Sequence, residues 1–266
     1  MAKELALIGC GNMGGAMVRG IVSSGLINPQ DIVVTSATER TQQAFAAELG
    51  CEGTCDNRAA AKGARIVLLA VKPQVLSQVA SDLAPALDDD AIVISVAAGF
   101  TLDRLGELVG AEHKIVRAMP NLPATVREAM TSVTPNAHVT EDELAYVVRL
   151  FESFGRGEVV PERMIDAVVA AAGSSPAYVC MFIEALADAA VAEGMPRAQA
   201  YVFAEQAVLG TAKYLLETGA HPAVLKDMVC SPGGTTIEAV AALEAGGLRS
   251  TVIEAARATA AKNRAM

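Results

Sequence analysis

The chain has 266 residues, 52% of them hydrophobic and 19% charged, a composition that can bury a sizeable core and argues against a disordered polymer. Its 21 basic against 30 acidic residues give a net charge of −9, and aromatics are only 4%, with no Trp. No nucleic-acid partner and no attachment to an anionic membrane are expected of a chain so acidic and so poor in stacking side chains. The first half alternates short apolar runs with amphipathic stretches. Strands are expected at residues 5–8, 31–36, 65–71, 91–96 and 114–118, and helices between them at 12–24, 38–49, 73–87 and 102–109. Unbroken apolar runs such as residues 66–71 suit a parallel sheet covered on both faces, so the alternation reads as a doubly wound α/β domain. Two further strands, at 129–134 and 157–160, flank a helix over 140–154, where Thr140 and Glu143 have capping-box spacing. After Pro161 the strand signal stops and Ala, Leu, Met and Glu dominate. The boundary is therefore placed near 161, with an all-helical domain over 162–266 that includes a long helix at 197–218. The charge-free stretch 167–183, interrupted by Gly173-Ser174-Ser175-Pro176, reads as buried helices rather than a membrane span. Residues 167–183 and 198–216 are apolar on more than one face, which predicts a homo-oligomer.

Five cysteines, Cys10, Cys51, Cys55, Cys180 and Cys230, form no CxxC pair and leave one over, as expected of a reduced, cytoplasmic protein. The three histidines, His113, His138 and His221, stand apart from one another and from any cysteine pair, so no metal site is expected. Met-Ala-Lys-Glu runs straight into an apolar strand, without the apolar segment of a leader peptide.

Gly9-Cys10-Gly11-Asn12-Met13-Gly14 matches GxGxxG with a strand before it and a helix after it, the context for holding a dinucleotide diphosphate on helix amides. A ribose-binding acid would stand at the end of the second strand, which here reads Val34-Thr35-Ser36-Ala37-Thr38-Glu39-Arg40. The hydroxyls of Ser36 and Thr38 with the Arg40 guanidinium suit a 2′-phosphate and favour NADPH, with NADH as the alternative. Glu39 is an acid in the ribose position, but its capping-box spacing from Ser36 predicts that it engages backbone. Ala70-Val71-Lys72-Pro73, Ser95–Gly99 and Arg117–Asn121 end three more strands, on the side where ligands bind in parallel sheets. In the second half, Val229-Cys230-Ser231-Pro232-Gly233-Gly234-Thr235-Thr236 leads into a helix. Its amides and hydroxyls suit a carboxylate or phosphate, and they equally suit an elaborate N-cap. No His, Asp, Glu or Lys lies within it, so a substrate held there needs placement more than a strong acid or base.

The combination of Gly9–Gly14, Ala70–Pro73, Arg117–Asn121, Gly173-Ser174-Ser175-Pro176-Ala177-Tyr178 and Ser231–Thr236 resembles the pyrroline-5-carboxylate reductases over nearly the whole chain. The resemblance implies a Rossmann-type domain over 1–161 and a helical substrate-binding and dimerisation domain over 162–266. It further implies NAD(P)H-dependent reduction of 1-pyrroline-5-carboxylate to L-proline, with NADPH as cofactor, in a homodimer or larger ring. Cofactor contacts then fall to Gly9, Gly11, Asn12, Met13, Gly14, Ser36, Thr38, Arg40, Asn57, Ala70, Val71, Lys72, Pro73 and Ala97. Val229, Ser231, Gly234, Thr235 and Thr236 would hold the substrate, with Thr236 facing its ring nitrogen as the catalytic residue. The chain departs from the family in having Ser175 where Gly is common and Leu122 where Thr is common. A β-hydroxyacid dehydrogenase is the rival enzyme, but it requires a lysine base that residues 171–181 lack. A non-catalytic NADP-sensing protein is the rival from another class.

Overall fold

The computed structural model describes residues 3–265. Packing divides the chain into two compact units, one running up to Gly173 and including the last few residues from Lys262, the other Ser174–Ala261. The first unit is built on eight strands: β1 (Leu5–Ile8), β2 (Ile32–Thr35), β3 (Glu52–Thr54), β4 (Ile66–Leu69), β5 (Ile92–Ser95), β6 (Lys114–Met119), β7 (Ala129–Pro135) and β8 (Gly155–Val159). They form one sheet in the order β3-β2-β1-β4-β5-β6-β7-β8, and every neighbouring pair is parallel except β6 with β7.

Every residue of β1, β2, β4 and β5 is buried, which is why these strands read as unbroken apolar runs. Alternate side chains enter opposite layers. Leu5 and Leu7 pack with Met17, Ile21, Phe151 and Phe154, while Ala6 and Ile8 pack with Leu69, Leu76, Ala80 and Leu105. The layers are closed by α1 (Asn12–Ser24), α2 (Glu39–Leu49), α3 (Asn57–Ala61), α4 (Pro73–Leu83), α5 (Leu102–Val109) and α6 (Glu141–Glu152). The helix expected to reach 87 ends at Leu83 and tightens into a 3-10 turn, Ala84–Ala86, because Pro85 has no amide to donate. β3 and α3 were not expected. Glu52-Gly53-Thr54 has no apolar alternation, and only its register with Val33–Thr35 makes it a strand.

Thr140 and Glu143 form the expected capping box, with the Thr140 amide donating to Glu143 Oε2 at 3.0 Å and the Glu143 amide to Thr140 Oγ1 at 3.3 Å. Lys114 Nζ reaches Glu143 Oε1 at 2.7 Å. Burial pushes the Glu143 carboxyl up, but the bonds from Lys114 and Thr140 outweigh it and hold it below the usual carboxylate range. A depressed folded-state value means stability that is present above about pH 4.3 and lost as the pH falls through the folded-state value. Glu143→Gln is thus expected to cost about 1 kcal/mol at pH 7. Thermal melts from neutral to acid pH check this: the variant and wild type should converge in acid.

After β8 the chain continues through α7 (Ile165–Val168) and a turn wound as a π-helix, Val169–Gly173. The second unit is all helical: α8 (Ser175–Ala192), α9 (Arg197–Thr218), α10 (Pro222–Val229), α11 (Thr235–Ala245) and α12 (Leu248–Arg264, whose last residues belong to the first unit). Tyr178 and Thr259 share a hydroxyl–hydroxyl hydrogen bond across α8 and α12. The expectation that residues 167–183 are buried is corrected here. Glu162–Ala192 is long and apolar enough to cross a membrane, yet only 6% of its most apolar window is buried. Val179, Met181 and Phe182 on α8 and Val202, Phe203 and Leu209 on α9 are exposed as well. Five slender, alanine-rich helices offer too little interior to cover side chains that are apolar all round.

Candidate active site

One rung of the sheet aligns Thr54, Thr35, Ile8, Leu69, Ser95 and Arg117 on six adjacent strands. The chain leaves the next positions at the carboxyl edge, so Gly9, Ser36 and Ala70 stand side by side. Because β2 lies on one side of β1 and β4 on the other, the strand order reverses there, which opens the crevice where such sheets bind ligands.

The glycine turn fits a dinucleotide diphosphate. Gly9 has φ 101°, and its amide donates to Thr35 Oγ1 at 3.2 Å. A Cβ on Gly14 would stand 2.2 Å from the Gly9 carbonyl oxygen, so only glycine lets α1 start this close to the turn. A Cβ on Gly11, by contrast, would meet nothing within 4 Å. Gly11 is the N-cap of α1 and no side chain caps the helix, so the amides of its first turn, Asn12 and Met13 included, are open to an anion. Burial pushes the Cys10 thiol up, against a hydrogen bond with Ser36, which keeps this residue of the turn uncharged.

On the β2 side the expected capping box does not form. Thr38, not Ser36, is the N-cap of α2: its Oγ1 accepts from the Thr41 amide at 3.4 Å. The Thr38 hydroxyl is also bonded to Thr41 Oγ1 at 2.9 Å, and the Glu39 carboxylate stays outside any capping box. Arg40 is exposed in the first turn of α2 and makes no ion pair among the described residues. Asn57 opens α3 just beyond β3, whose Thr54 pairs with Thr35, so it lies on the same edge as Ser36. On the β4 side, Ala70 and Val71 lead to Lys72, the exposed N-cap of α4, and Pro73 is that helix's first residue. Ala97 follows β5 and is buried, its amide donating to Ser95 Oγ at 3.4 Å.

The second cluster lies in the helical unit. Val229 ends α10, and Ser231-Pro232-Gly233-Gly234 turns the chain with Gly233 at φ 67°. Gly234 is the N-cap of α11, donates to the Ser231 carbonyl at 3.0 Å, and no side chain caps the helix. A Cβ on Gly234 would fall 2.3 Å from Ser231 Oγ and 3.2 Å from the Ser231 carbonyl oxygen, so a larger residue there would have to turn the Ser231 hydroxyl aside. Thr235 and Thr236 are the first two helical residues, and their amides lack intrahelical partners. The elaborate N-cap is thereby set aside: α11 begins with open amides and two uncommitted hydroxyls, an arrangement suited to a carboxylate.

Pattern reading passed over Glu162, whose carboxylate accepts from the Leu102 amide and from Arg117. Its signal was the single Arg in the otherwise apolar run Ile115–Met119.

The family profile described as pyrroline-5-carboxylate reductase dimerisation matches residues 162–266, and that described as NADP oxidoreductase coenzyme F420-dependent matches residues 4–99. A pyrroline-5-carboxylate reductase of Escherichia coli is 52% identical over 255 residues, covering 96% of this chain and 95% of the relative. The solved pyrroline-5-carboxylate reductase of Coxiella burnetii superposes with a TM-score of 0.94 at 35% identity, covering 99% of this chain and 98% of that one. The Plasmodium falciparum pyrroline carboxylate reductase, solved with NADP bound, superposes with a TM-score of 0.87 at 30% identity, covering 99% and 97%. With identity this high over almost the full length of both chains, the protein belongs to the pyrroline-5-carboxylate reductase family.

Proposed function

We propose that this protein reduces 1-pyrroline-5-carboxylate to L-proline with NADPH, the last step of proline biosynthesis, with NADH as the alternative donor. The observation that carries the reading is the uncapped start of α11, which offers amides and hydroxyls and no titratable side chain. A protonated cyclic imine already bears its electrophilic charge, so its reduction needs alignment more than acid–base power. Bound NADPH supplies the hydride. The imine carbon takes it, the C=N pair moves to nitrogen, and the neutral amine so formed picks up a proton from solvent.

The residues of this chain bind and orient. Gly9, Gly11, Asn12, Met13 and Gly14 hold the diphosphate; Ser36, Thr38, Arg40 and Asn57 take the adenosine end; Ala70, Val71, Lys72, Pro73 and Ala97 line the path toward the nicotinamide. Val229, Ser231, Gly234, Thr235 and Thr236 hold the substrate carboxylate, and the Thr236 hydroxyl orients the ring nitrogen. Alignment of this kind lowers barriers by about 7–11 kcal/mol in well-ordered reactions. Residues 1–161 are assigned to cofactor binding, and 162–266 to substrate binding and dimerisation.

NADPH oxidation followed at 340 nm with pyrroline-5-carboxylate tests the reading. Turnover with that imine, and no reduction of NADP+ in the presence of β-hydroxyacids, supports it; NADPH binding without either reaction would leave an NADP-sensing protein. The absence of a lysine from residues 171–181 already disfavours the hydroxyacid chemistry.

The exposed apolar faces of α8 and α9 support a homodimer or larger homo-oligomer formed through the C-terminal helices, and the acidic charge balance disfavours a nucleic acid or an anionic membrane as partner. Met181 and Phe203, 69% and 65% exposed, are among the side chains a second copy would cover. Light scattering at micromolar concentration is expected to give no monomer. Unpaired cysteines and an acidic surface accord with a cytoplasmic location.

Cofactor choice follows from the end of β2. Arg40→Ala is expected to raise the KM for NADPH about tenfold or more and to leave that for NADH nearly unchanged, as one charge-assisted hydrogen bond is worth roughly 1.5–3 kcal/mol. Steady-state kinetics with both cofactors decide it, and equal effects would make Arg40 an ordinary surface residue.

A further inference from the structure

The end of β6 carries two polar side chains that hold a distant part of the chain. Arg117 is only 6% exposed on its strand. Its Nη1 donates to Glu162 Oε1 at 2.8 Å, and the same oxygen accepts from the Leu102 amide at 2.8 Å. Arg117 Nε is buried without an acceptor, so this guanidinium is only partly satisfied and Glu162 is its acceptor. Four residues on, Asn121 Nδ2 donates to the Ala172 carbonyl at 3.0 Å, while its Oδ1 accepts from the Met130 amide at 2.9 Å.

Glu162 and Ala172 are the two ends of one short segment. It leads into the π-helical turn Val169–Gly173, a rare geometry that is frequent at functional sites. The segment runs directly into Gly173-Ser174-Ser175-Pro176, by which the chain enters the helical unit. Through the Leu102 amide, Glu162 also pins the end of the loop that follows β5 and carries Ala97. Arg117 and Glu162 border a cleft of about 430 Å³ together with Gly99 and Thr101 of that loop. A buried guanidinium is a poor choice for stability alone, since an apolar side chain of similar volume fills such a site as well or better.

We propose that Arg117 and Asn121 are positioning residues for hydride transfer, forming a two-point clamp that fixes residues 162–173 against the loop after β5. The inference rests on the reduction proposed above. Arg117 acts through Glu162 and the Leu102 amide, Asn121 through the Ala172 carbonyl, and neither is required to touch a reactant. A clamp of this kind acts on alignment, so its loss appears in kcat before it appears in cofactor binding.

The test compares wild type with Arg117→Met, Arg117→Lys and Asn121→Asp, the last keeping the acceptor for Met130 and removing the donor to Ala172. Steady-state kinetics, melting temperature and amide hydrogen exchange are measured on the same full-length preparations. Arg117→Met is expected to lower kcat by about 10–100-fold with the KM for NADPH little changed. Arg117→Lys keeps the charge without the planar fork and is expected to recover to within about fivefold of wild type. Exchange should accelerate at Leu102 in the Arg117 variant and over residues 169–173 in the Asn121 variant. A lower melting temperature with kcat intact would make the cluster purely structural and overturn the proposal. So would a KM for NADPH that rises while kcat holds, which would make the cluster part of the cofactor site. If Arg117→Met does not fold, Asn121→Asp carries the same comparison. Wild-type inactivity with the imine would overturn the reaction, whereas unchanged exchange would overturn the clamp itself, so the two failures are distinguishable.

Discussion

Thr236→Val is expected to lower kcat/KM at least tenfold while leaving the melting temperature nearly where it was. The substitution keeps the shape and deletes the hydroxyl. Were that hydroxyl a helix cap, its loss would cost about 0.5–2 kcal/mol of stability and leave turnover intact. The N-cap of α11 is Gly234, however, and no side chain caps the helix, so the Thr236 hydroxyl has no structural task of that kind. If it orients the imine nitrogen, each decade lost in kcat/KM corresponds to about 1.4 kcal/mol of transition-state stabilisation. A loss confined to kcat would place the contact in the transition state, and a loss confined to KM would place it in ground-state binding. A lowered melting point with unchanged kcat/KM would return Thr236 to a helix cap and move the search for the orienting group to Ser174 or Ser175, since both ends of the Asn121 amide are committed to Ala172 and Met130.

Gly14→Ala should be more damaging still to cofactor binding. The added Cβ would sit 2.2 Å from the Gly9 carbonyl oxygen and 3.1 Å from the Ala70 Cβ, so backbone must move. The part that moves is the turn proposed to hold the diphosphate. The Kd for NADPH is expected to rise about a hundredfold or more, equivalent to roughly 3 kcal/mol. Gly11→Ala is the informative companion, because its Cβ meets nothing within 4 Å and packing should tolerate it. Fluorescence titration of NADPH with circular dichroism on both variants separates the two effects: Gly14→Ala strains the turn, whereas Gly11→Ala obstructs only the ligand's approach. Unchanged NADPH affinity in Gly14→Ala would remove the glycine turn from the cofactor site.

Local pattern was sufficient wherever the physics is local. The buried strands announced themselves because both faces are covered, leaving no room for polar alternation at Ile66–Leu69 or Ile92–Ser95. The capping box at Thr140 was readable because both partners lie within one helical turn. The glycine turn was readable because strand and helix flank it directly. The same spacing rule misled at Ser36 and Glu39, where Thr38 competes for the cap and wins. β3 escaped notice because an edge strand of Glu-Gly-Thr is defined by its neighbour, not by its own side chains. Asn57, attributed to the cofactor site by family resemblance alone, acquired a physical reason only with β3 in place.

By itself, then, the sequence determined the class of the sheet, its carboxyl edge and the two glycine-rich turns proposed to hold the ligands, because each follows from neighbours within a few residues. The tertiary structure alone decided which polar residues are committed elsewhere and which are left for ligands. The Arg117–Glu162 pair joins residues 45 apart in sequence, and no periodicity encodes it. The exposure of Met181 and Phe203 depends on how much apolar surface the remaining helices can cover, a balance of areas that no local pattern contains.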